Sequence, residues 1–313
     1  MKTVLVTGGA GFIGTNLCKL LLDQGNNVIA IDNFITSSGD NLKELRKHQN
    51  FTFIKHDITQ PLPASIRKHE ARIREIFHLA CPTGVPNVTK LGEEMLLTCS
   101  VGTRNVLETA RANKAKLLFT SSSEVYGDPE IFPQAEDYTG NVDQIGVRST
   151  YEEGKRFSES LVAMYVRKYN LDAKIVRIFN TYGPHMTLTD TRVIPNFIQQ
   201  IKSNKPLTVQ GKGNQRRTFC YVDDLVAGFL TVMEKGKTGE AHNLGGDQEY
   251  TIKELAETVI KLTSTKQKIS FIPRPGHDHQ ARRPDLKKVK KLGWKQKIKL
   301  EEGLKKTLEW YSV

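Results

Sequence analysis

A doubly wound α/β fold, built on a mostly parallel sheet with a smaller, partly discontinuous C-terminal lobe, is the architecture the sequence predicts. Three observations carry this reading. Strand-like apolar runs alternate with helical stretches through the first 178 residues, the pattern of parallel strands joined by helical crossovers. A glycine-rich stretch separates the first apolar run from the first helical one, and the rhythm breaks beyond residue 179. The chain of 313 residues is 38% hydrophobic and 26% charged, enough for a large core in an ordinary globular protein.

Strands are predicted at Val4–Thr7, Val28–Ile31, Phe51–Ile54, Ile76–Leu79, Leu117–Thr120 and Lys174–Ile178. Helical patterns cover Asn16–Leu22 and Tyr151–Tyr169. After residue 179, loops rich in Gly, Pro and Asn (Gly183-Pro184, Gly211–Asn214, Pro273–Gly276) separate short strands from helices predicted near 193–202, 251–263 and 300–311. A segment near Tyr221–Val232 and a strand at Ala241–Leu244 are expected to return to the first lobe.

Composition excludes several classes. No window approaches the run of about 18 apolar residues that a spanning helix needs, and Met1–Thr7 leads directly into a strand, so membrane insertion and secretion are not expected. Cys18, Cys81, Cys99 and Cys220 lie far apart in sequence and share no metal-type spacing; they read as reduced thiols, and a cytoplasmic setting follows. His277-Asp278-His279 lacks a further ligand group, so no metal is expected. The net charge of +12 suits an anionic partner. Much of the excess is lysine between Lys287 and Lys306, interleaved with apolar residues at helical spacing, which reads as a solvated helix face rather than a nucleic-acid surface. A phosphorylated small molecule is the expected partner.

Thr7-Gly8-Gly9-Ala10-Gly11-Phe12-Ile13-Gly14 sits between the first strand and a helix, where a phosphate-binding turn belongs. Gly8 permits the tight turn, Gly11 lets the backbone approach a pyrophosphate, and Gly14 allows close packing, with the helix N-terminus attracting negative charge. The second strand ends at Asp32, roughly 20 residues on, where a carboxylate can accept both hydroxyls of an adenosine ribose and would repel a 2′-phosphate. NAD rather than NADP is therefore the expected cofactor. The expected division is an NAD-binding Rossmann domain over 1–178, with 219–245 returning to it, and a lobe over 179–313 that is mainly substrate-binding.

Tyr151 and Lys155 stand four apart on a helical pattern and share one face. A tyrosine ordinarily ionises near pH 10; bringing it to work as a base near pH 7 takes about 4 kcal/mol of charge stabilisation, which an ammonium and an oxidised nicotinamide could supply. Ser121-Ser122-Ser123-Glu124-Val125-Tyr126-Gly127 follows the fifth strand, at the edge where doubly wound sheets bind ligands.

Through TGGAGFIG, Asp32, SSSEVYG and YEEGK, the sequence resembles the extended short-chain dehydrogenase/reductase family over nearly its whole length. Within that family it looks most like the UDP-glucuronic acid decarboxylase branch, through HLACP (His78–Pro82), TSSSEVYGDP (Thr120–Pro129), GNVDQIGVRSTYEEGKR (Gly140–Arg156), RIFNTYGP (Arg177–Pro184) and PLTVQGKGNQRRTFCYVDDL (Pro206–Leu225). The resemblance implies that Tyr151 removes the sugar 4-hydroxyl proton, Lys155 lowers its pKa and holds the nicotinamide ribose, and Ser122 hydrogen-bonds the same oxygen. It places the cofactor against Gly8, Gly11, Phe12, Ile13, Gly14, Asp32, Asn33, Phe34, Asp57, Ile58, Leu79, Ala80, Thr98, Tyr151, Lys155 and Thr181. Asn180, Arg192, Arg217 and Arg282 are the implied substrate contacts, with Arg217 at the diphosphate and Arg282 reaching the active site, where forked donors suit oxygen pairs.

Dehydratases of this superfamily carry an acid at the position of Ser123, as expulsion of a 6-hydroxyl requires, and the 4-epimerases generally lack a carboxylate at that of Glu124. Ser123 with Glu124 therefore points to chemistry at C5 without dehydration. The implied reaction converts UDP-glucuronic acid to UDP-xylose through a transient 4-keto sugar, with NAD regenerated. The chain departs from the family pattern at Gln210, where an aromatic packs on uracil, at His185, and at Thr36-Ser37-Ser38-Gly39. A UDP-sugar 4-epimerase, a nucleotide-sugar 4,6-dehydratase and a non-catalytic NAD-binding scaffold stay open as alternatives. The resemblance also implies a homodimer, formed through helices around Glu93–Ala112 and Tyr151–Tyr169.

Overall fold

Seven parallel strands make the central sheet: β1 (Thr3–Thr7), β2 (Asn27–Asp32), β3 (Phe51–Lys55), β4 (Glu75–His78), β5 (Lys116–Ser122), β6 (Ala173–Ile178) and β7 (Ala241–Leu244). Their order is β7-β6-β5-β4-β1-β2-β3. The computed structural model describes residues 1–67, 72–273 and 281–313. From β1 the chain lays β2 and β3 on one side, then crosses back to lay β4, β5 and β6 on the other. A crevice opens where the order reverses, beyond the carboxyl ends of β1 and β4.

All five residues of β1 are buried, because the strand is covered on both faces. Val4 and Val6 face a core shared with helices α1 (Phe12–Asp23) and α4 (Val222–Lys235), through Leu17, Leu21, Phe229 and Val232. Leu5 faces the other core, built with α2 (Thr103–Asn113) and α3 (Ser149–Tyr169) through Val106, Leu107, Val162 and Tyr165. Each such side chain contributes about 1.5 to 3 kcal/mol by leaving water. β7 joins the sheet beside β6 in register Ala241↔Ile175 to Leu244↔Ile178, so the chain returns to the sheet after leaving it at Ile178.

Among the described residues, three smaller ladders lie outside the sheet. Leu207–Gln210 pairs with Ile269–Ile272, and Thr181–Tyr182 with Cys220–Tyr221. Arg216–Thr218 is flanked by Glu249–Thr251 and by Ala281–Arg282. The helix Ile252–Thr263 is started by a capping box in which Thr251 and Glu254 satisfy each other's backbone N–H groups. α1 begins at Phe12, earlier than the apolar spacing predicts, because the extended backbone of Gly11 serves as its N-cap.

Candidate active site

The glycine turn supplies an open anion cradle. Gly8 has φ +72°, and a Cβ there would lie 2.8 Å from the Ala80 nitrogen. A Cβ on Gly14 would lie 2.0 Å from the Gly8 carbonyl oxygen, so only glycine lets α1 approach the strand end this closely. Gly9, which sequence reasoning passed over, is equally constrained: its Cβ would fall 2.6 Å from that of Ala30. The N-terminus of α1 has no side-chain cap hydrogen bond and no acidic residue in its first turn, leaving its N–H dipoles available to an anion.

At the end of β2, Asp32 is set by three donors. One oxygen accepts from the Phe34 N–H (2.9 Å) and the Ser37 hydroxyl (2.8 Å), the other from the Ala10 N–H (3.1 Å). A carboxylate offers about four lone-pair sites, so it is oriented yet still able to accept from a hydroxyl. Asn33 donates to Asp57 (3.0 Å). Burial opposes ionisation of Asp57, but hydrogen bonds from Thr59 and Asn33 prevail and hold its carboxyl below the usual range. Buried polar atoms of Ser121 (Oγ) and His56 (Nε2) line the same cleft without a partner in the chain. The cradle, the oriented carboxylate and these orphaned atoms fit a dinucleotide.

The cleft has a volume of about 580 Å³, within the range of small-molecule sites. It brings together Ser122, Ser123, Glu124, Tyr151 and Lys155, which come from the end of β5 and the first turns of α3. The Ser122 hydroxyl accepts from the Glu124 N–H (3.2 Å) and stands near enough to the Tyr151 phenol to favour its ionisation. Lys155 is buried, donates to the Thr120 carbonyl (2.9 Å), and holds its ammonium 6.0 Å from the Tyr151 ring centroid. Burial pushes the Tyr151 phenol up to about 12, with Lys155 as the main opposing influence. The ammonium alone therefore leaves it neutral, and the electrostatic work needed to ionise it exceeds what the ordinary value of a tyrosine implies.

Glu124 is not a free carboxylate. Arg282 donates to both of its oxygens (2.6 and 3.1 Å), to the Ser123 hydroxyl (3.3 Å) and to the Gly127 carbonyl (3.1 Å). Arg148 also bonds Glu124, at the Oε2 oxygen that Arg282 shares, and donates to Glu152 (3.0 Å). Arg148 went unread in the sequence, although its place three residues before Tyr151 on a helical pattern puts it on the same face.

His78, at the end of β4, was likewise passed over as a group. It is buried between the hydroxyls of Thr7 (2.8 Å) and Thr103 (3.1 Å), and burial, reinforced by Lys155, pushes it down to about 3. It is a neutral bridge that holds β1 and α2 together behind the site.

Asn33, Asp57, Ile58, Leu79, Ala80, Thr98, Asn180, Thr181 and Arg192 all line the cleft, as do Phe12 and Ile13. Arg192 is held there by Asp190. Three predicted contacts are not among the described lining residues. Phe34 packs its ring 5.1 Å from that of Phe53; Arg217 donates to the Arg216 carbonyl (2.9 Å) on the strand beside Arg282; Arg282 meets the site through Ser123 and Glu124. His185 lines the cleft with φ +71°, its ring 4.9 Å from that of Trp310. Gln210 ends an outer strand and accepts from Gln215. His277, Asp278 and His279 lie outside the described residues. All four cysteines are free thiols, and two that stand well apart in sequence meet in space. The sulfurs of Cys81 and Cys99 are 3.8 Å from each other, a proximity that a separation of 18 residues conceals.

A family model described as GDP-mannose 4,6 dehydratase matches residues 5–307. Among curated proteins, UDP-glucuronic acid decarboxylase 6 of Arabidopsis thaliana is 46% identical over 303 residues, covering 96% of this chain and 86% of the relative. UDP-glucuronic acid decarboxylase 1 of Danio rerio is 41% identical over 312 residues, covering 99% and 73%. Among solved structures, UDP-glucuronic acid 4-epimerase of Bacillus cereus, in complex with UDP-glucuronic acid and NAD, superimposes with a TM-score of 0.88 at 28% identity, covering 99% of each chain. With this fold, this cleft and these relatives, the chain belongs to the extended short-chain dehydrogenase/reductase family and groups within it with the UDP-glucuronic acid decarboxylases.

Proposed function

We propose that the protein is an NAD-dependent carboxy-lyase that converts UDP-glucuronic acid to UDP-xylose. The observation that carries this reading is the meeting of Tyr151, Ser122 and Lys155 in one cleft with a serine and a clamped glutamate, Ser123 and Glu124, immediately beside them. Identity of 40 to 46% to curated UDP-glucuronic acid decarboxylases supports it.

NAD, when bound, supplies reversible oxidation of the sugar at C4, which places a ketone beta to the C5 carboxylate. The chain's part is to hold that oxygen and move its proton. The Tyr151 and Ser122 hydroxyls, which line one cleft side by side, would converge on the 4-oxygen and stabilise the enolate charge left when carbon dioxide departs; one such donor contributes about 3 to 4 kcal/mol. Lys155, locked onto Thr120, keeps a fixed positive charge beside the phenol. Because burial raises Tyr151, the phenol is a proton donor until a further positive charge enters the cleft, which couples its ionisation to cofactor binding.

Glu124 and Ser123 are placed for C5, with Arg148 and Arg282 fixing the carboxylate rather than leaving it to swing. Arg192 and Asn180, on the lining beyond the site, would meet the nucleotide sugar, and Arg217 its diphosphate. Asp32 would select NAD through the ribose. A homodimer is part of this reading. Leu96, Leu97 and Val101 (each 42 to 43% exposed) and Phe157 (53%) lie on the two helical segments that would pair with their copies. So is a cytoplasmic setting, which suits four free thiols.

Incubating the protein with UDP-glucuronic acid and NAD and weighing the products tests the reaction. The expected result is a product lighter by one carbon dioxide. An isomer of unchanged mass would establish epimerisation instead, and loss of water a dehydratase. A Tyr151→Phe variant that turned over like the wild type would remove the base assigned here.

A further inference from the structure

Among the described residues, Cys81 on the cleft and Cys99 behind it form a pair of nucleophilic side chains that the proposed reaction does not use. Cys81 follows β4 on the loop that carries Leu79 and Ala80, and it lines the cleft. Cys99 is 2% exposed and lies on a π-helical turn, Thr98–Gly102, between Gly92–Leu97 and α2. Such turns re-aim side chains within a helix. The place of Cys99 is fixed from behind. Ser158 donates to its carbonyl (2.6 Å), and a Cβ on Gly154 would lie only 3.3 Å from its Cβ and Sγ.

We propose that Cys81 and Cys99 are an oxidation site: a peroxide entering the cleft converts them to a disulfide that reversibly disables the enzyme. The sulfurs, 3.8 Å apart, need to close by less than 2 Å to reach the ~2.05 Å of a disulfide bond. The thiols share a proton. The hydrogen bond from Cys81 favours a thiolate at Cys99 against the effect of burial, and the Lys155 ammonium nearby also favours the charge. Cys18 and Cys220 are buried thiols raised by desolvation and have no neighbouring cysteine sulfur among the described residues.

Cys81 is the sulfur open to the cleft. The Cys81 thiol passes its proton to the Cys99 thiolate as the Cys81 sulfur attacks one oxygen of hydrogen peroxide; the O–O bond breaks, a sulfenic acid forms and the departing hydroxide takes a proton from solvent to leave as water. The sulfur of Cys99 then displaces that oxygen, forming the S–S bond, while its proton leaves with the departing oxygen as water. Two electrons pass from the thiols to peroxide, and the net products are a disulfide and two waters. Closure draws the loop bearing Ala80 toward the π turn. That loop has no slack, since the space a Gly8 Cβ would need is already filled by the Ala80 backbone. It also removes a negative charge from beside Lys155, so both the cofactor wall and the phenol's electrostatic partner are disturbed.

The effect on turnover rests on the decarboxylase reading; formation of the bond does not. Full-length protein treated with hydrogen peroxide, then alkylated and digested without reduction, is expected to yield a linked Cys81–Cys99 peptide lighter by two hydrogens. Activity is expected to fall about tenfold or more, as misplacing an active-site wall by an ångström does, and to return with dithiothreitol. Cys99→Ser, compared with its own untreated activity, should resist the same dose. Recovery of both cysteines as free thiols from inactivated protein, or an equal and reversible loss in Cys99→Ser, overturns the proposal. A linked peptide in protein that never releases carbon dioxide would count against the functional reading alone.

Discussion

Replacing Arg282 with methionine tests whether the clamp on Glu124 works as one unit. The change keeps much of the buried stem but deletes two charge-assisted bonds to Glu124 and the bonds to Ser123 and Gly127. Charge-assisted hydrogen bonds contribute about 1.5 to 3 kcal/mol, and orphaning a buried charge costs about 3 to 5. Glu124 is not orphaned, since Arg148 remains and a fifth of the glutamate side chain is exposed, so the loss should fall at the lower end, about 3 kcal/mol. Glu124→Gln leaves two guanidinium groups facing a neutral amide and should cost about 2 kcal/mol. Once either partner is gone the other has little left to lose. The double variant should therefore fall short of the summed loss by about 1.5 kcal/mol or more. Urea denaturation of the four proteins without NAD reads this directly, and kcat/KM should show the same non-additivity. Additivity within about 0.5 kcal/mol would refute a unitary clamp and leave Arg282 as an ordinary buried cation.

Gly14→Ala places a Cβ 2.0 Å from the Gly8 carbonyl oxygen and 2.9 Å from two further backbone atoms, none of which can rotate aside. Overpacking of this kind costs about 1 to 3 kcal/mol, and α1 must withdraw from the anion cradle; calorimetry should show NAD binding weakened by an order of magnitude or more, and unchanged affinity would contradict the cradle. His78 gives a pH dependence of defined sign. The unfolded chain takes up a proton as pH falls through about 6.5, whereas the folded protein does so only near 3, so stability is lost as pH falls between these values. From pH 7 to pH 5 this group should cost the fold about 2 kcal/mol. His78→Gln should flatten the measured dependence by that amount, and an identical slope in wild type and variant would show that the imidazole takes its proton in the folded state.

Much of the site was legible because its chemistry is local in the chain. The glycine turn, Asp32 at a strand end, and Tyr151 with Lys155 on one helix each need only a few consecutive residues to define their geometry, and periodicity alone places them at the carboxyl edge of a parallel sheet. What the spacing could not convey was contact across the fold. Arg282 reaches Glu124 over 158 residues, and Cys81 meets Cys99 from a separate element. Neither pairing leaves a pattern in the chain.

The sequence by itself determined the alternation of strands and helices, the glycine turn after the first strand, the carboxylate at the end of the second and the tyrosine and lysine that share one helix face, since these follow from backbone geometry and residue type over short spans. Only the tertiary structure decided the electrostatic state of those groups. Burial raises the Tyr151 phenol and keeps His78 neutral, while two arginines from different elements converge on Glu124. Desolvation and through-space charge depend on what the whole fold packs around an atom, and that is a property of no segment alone.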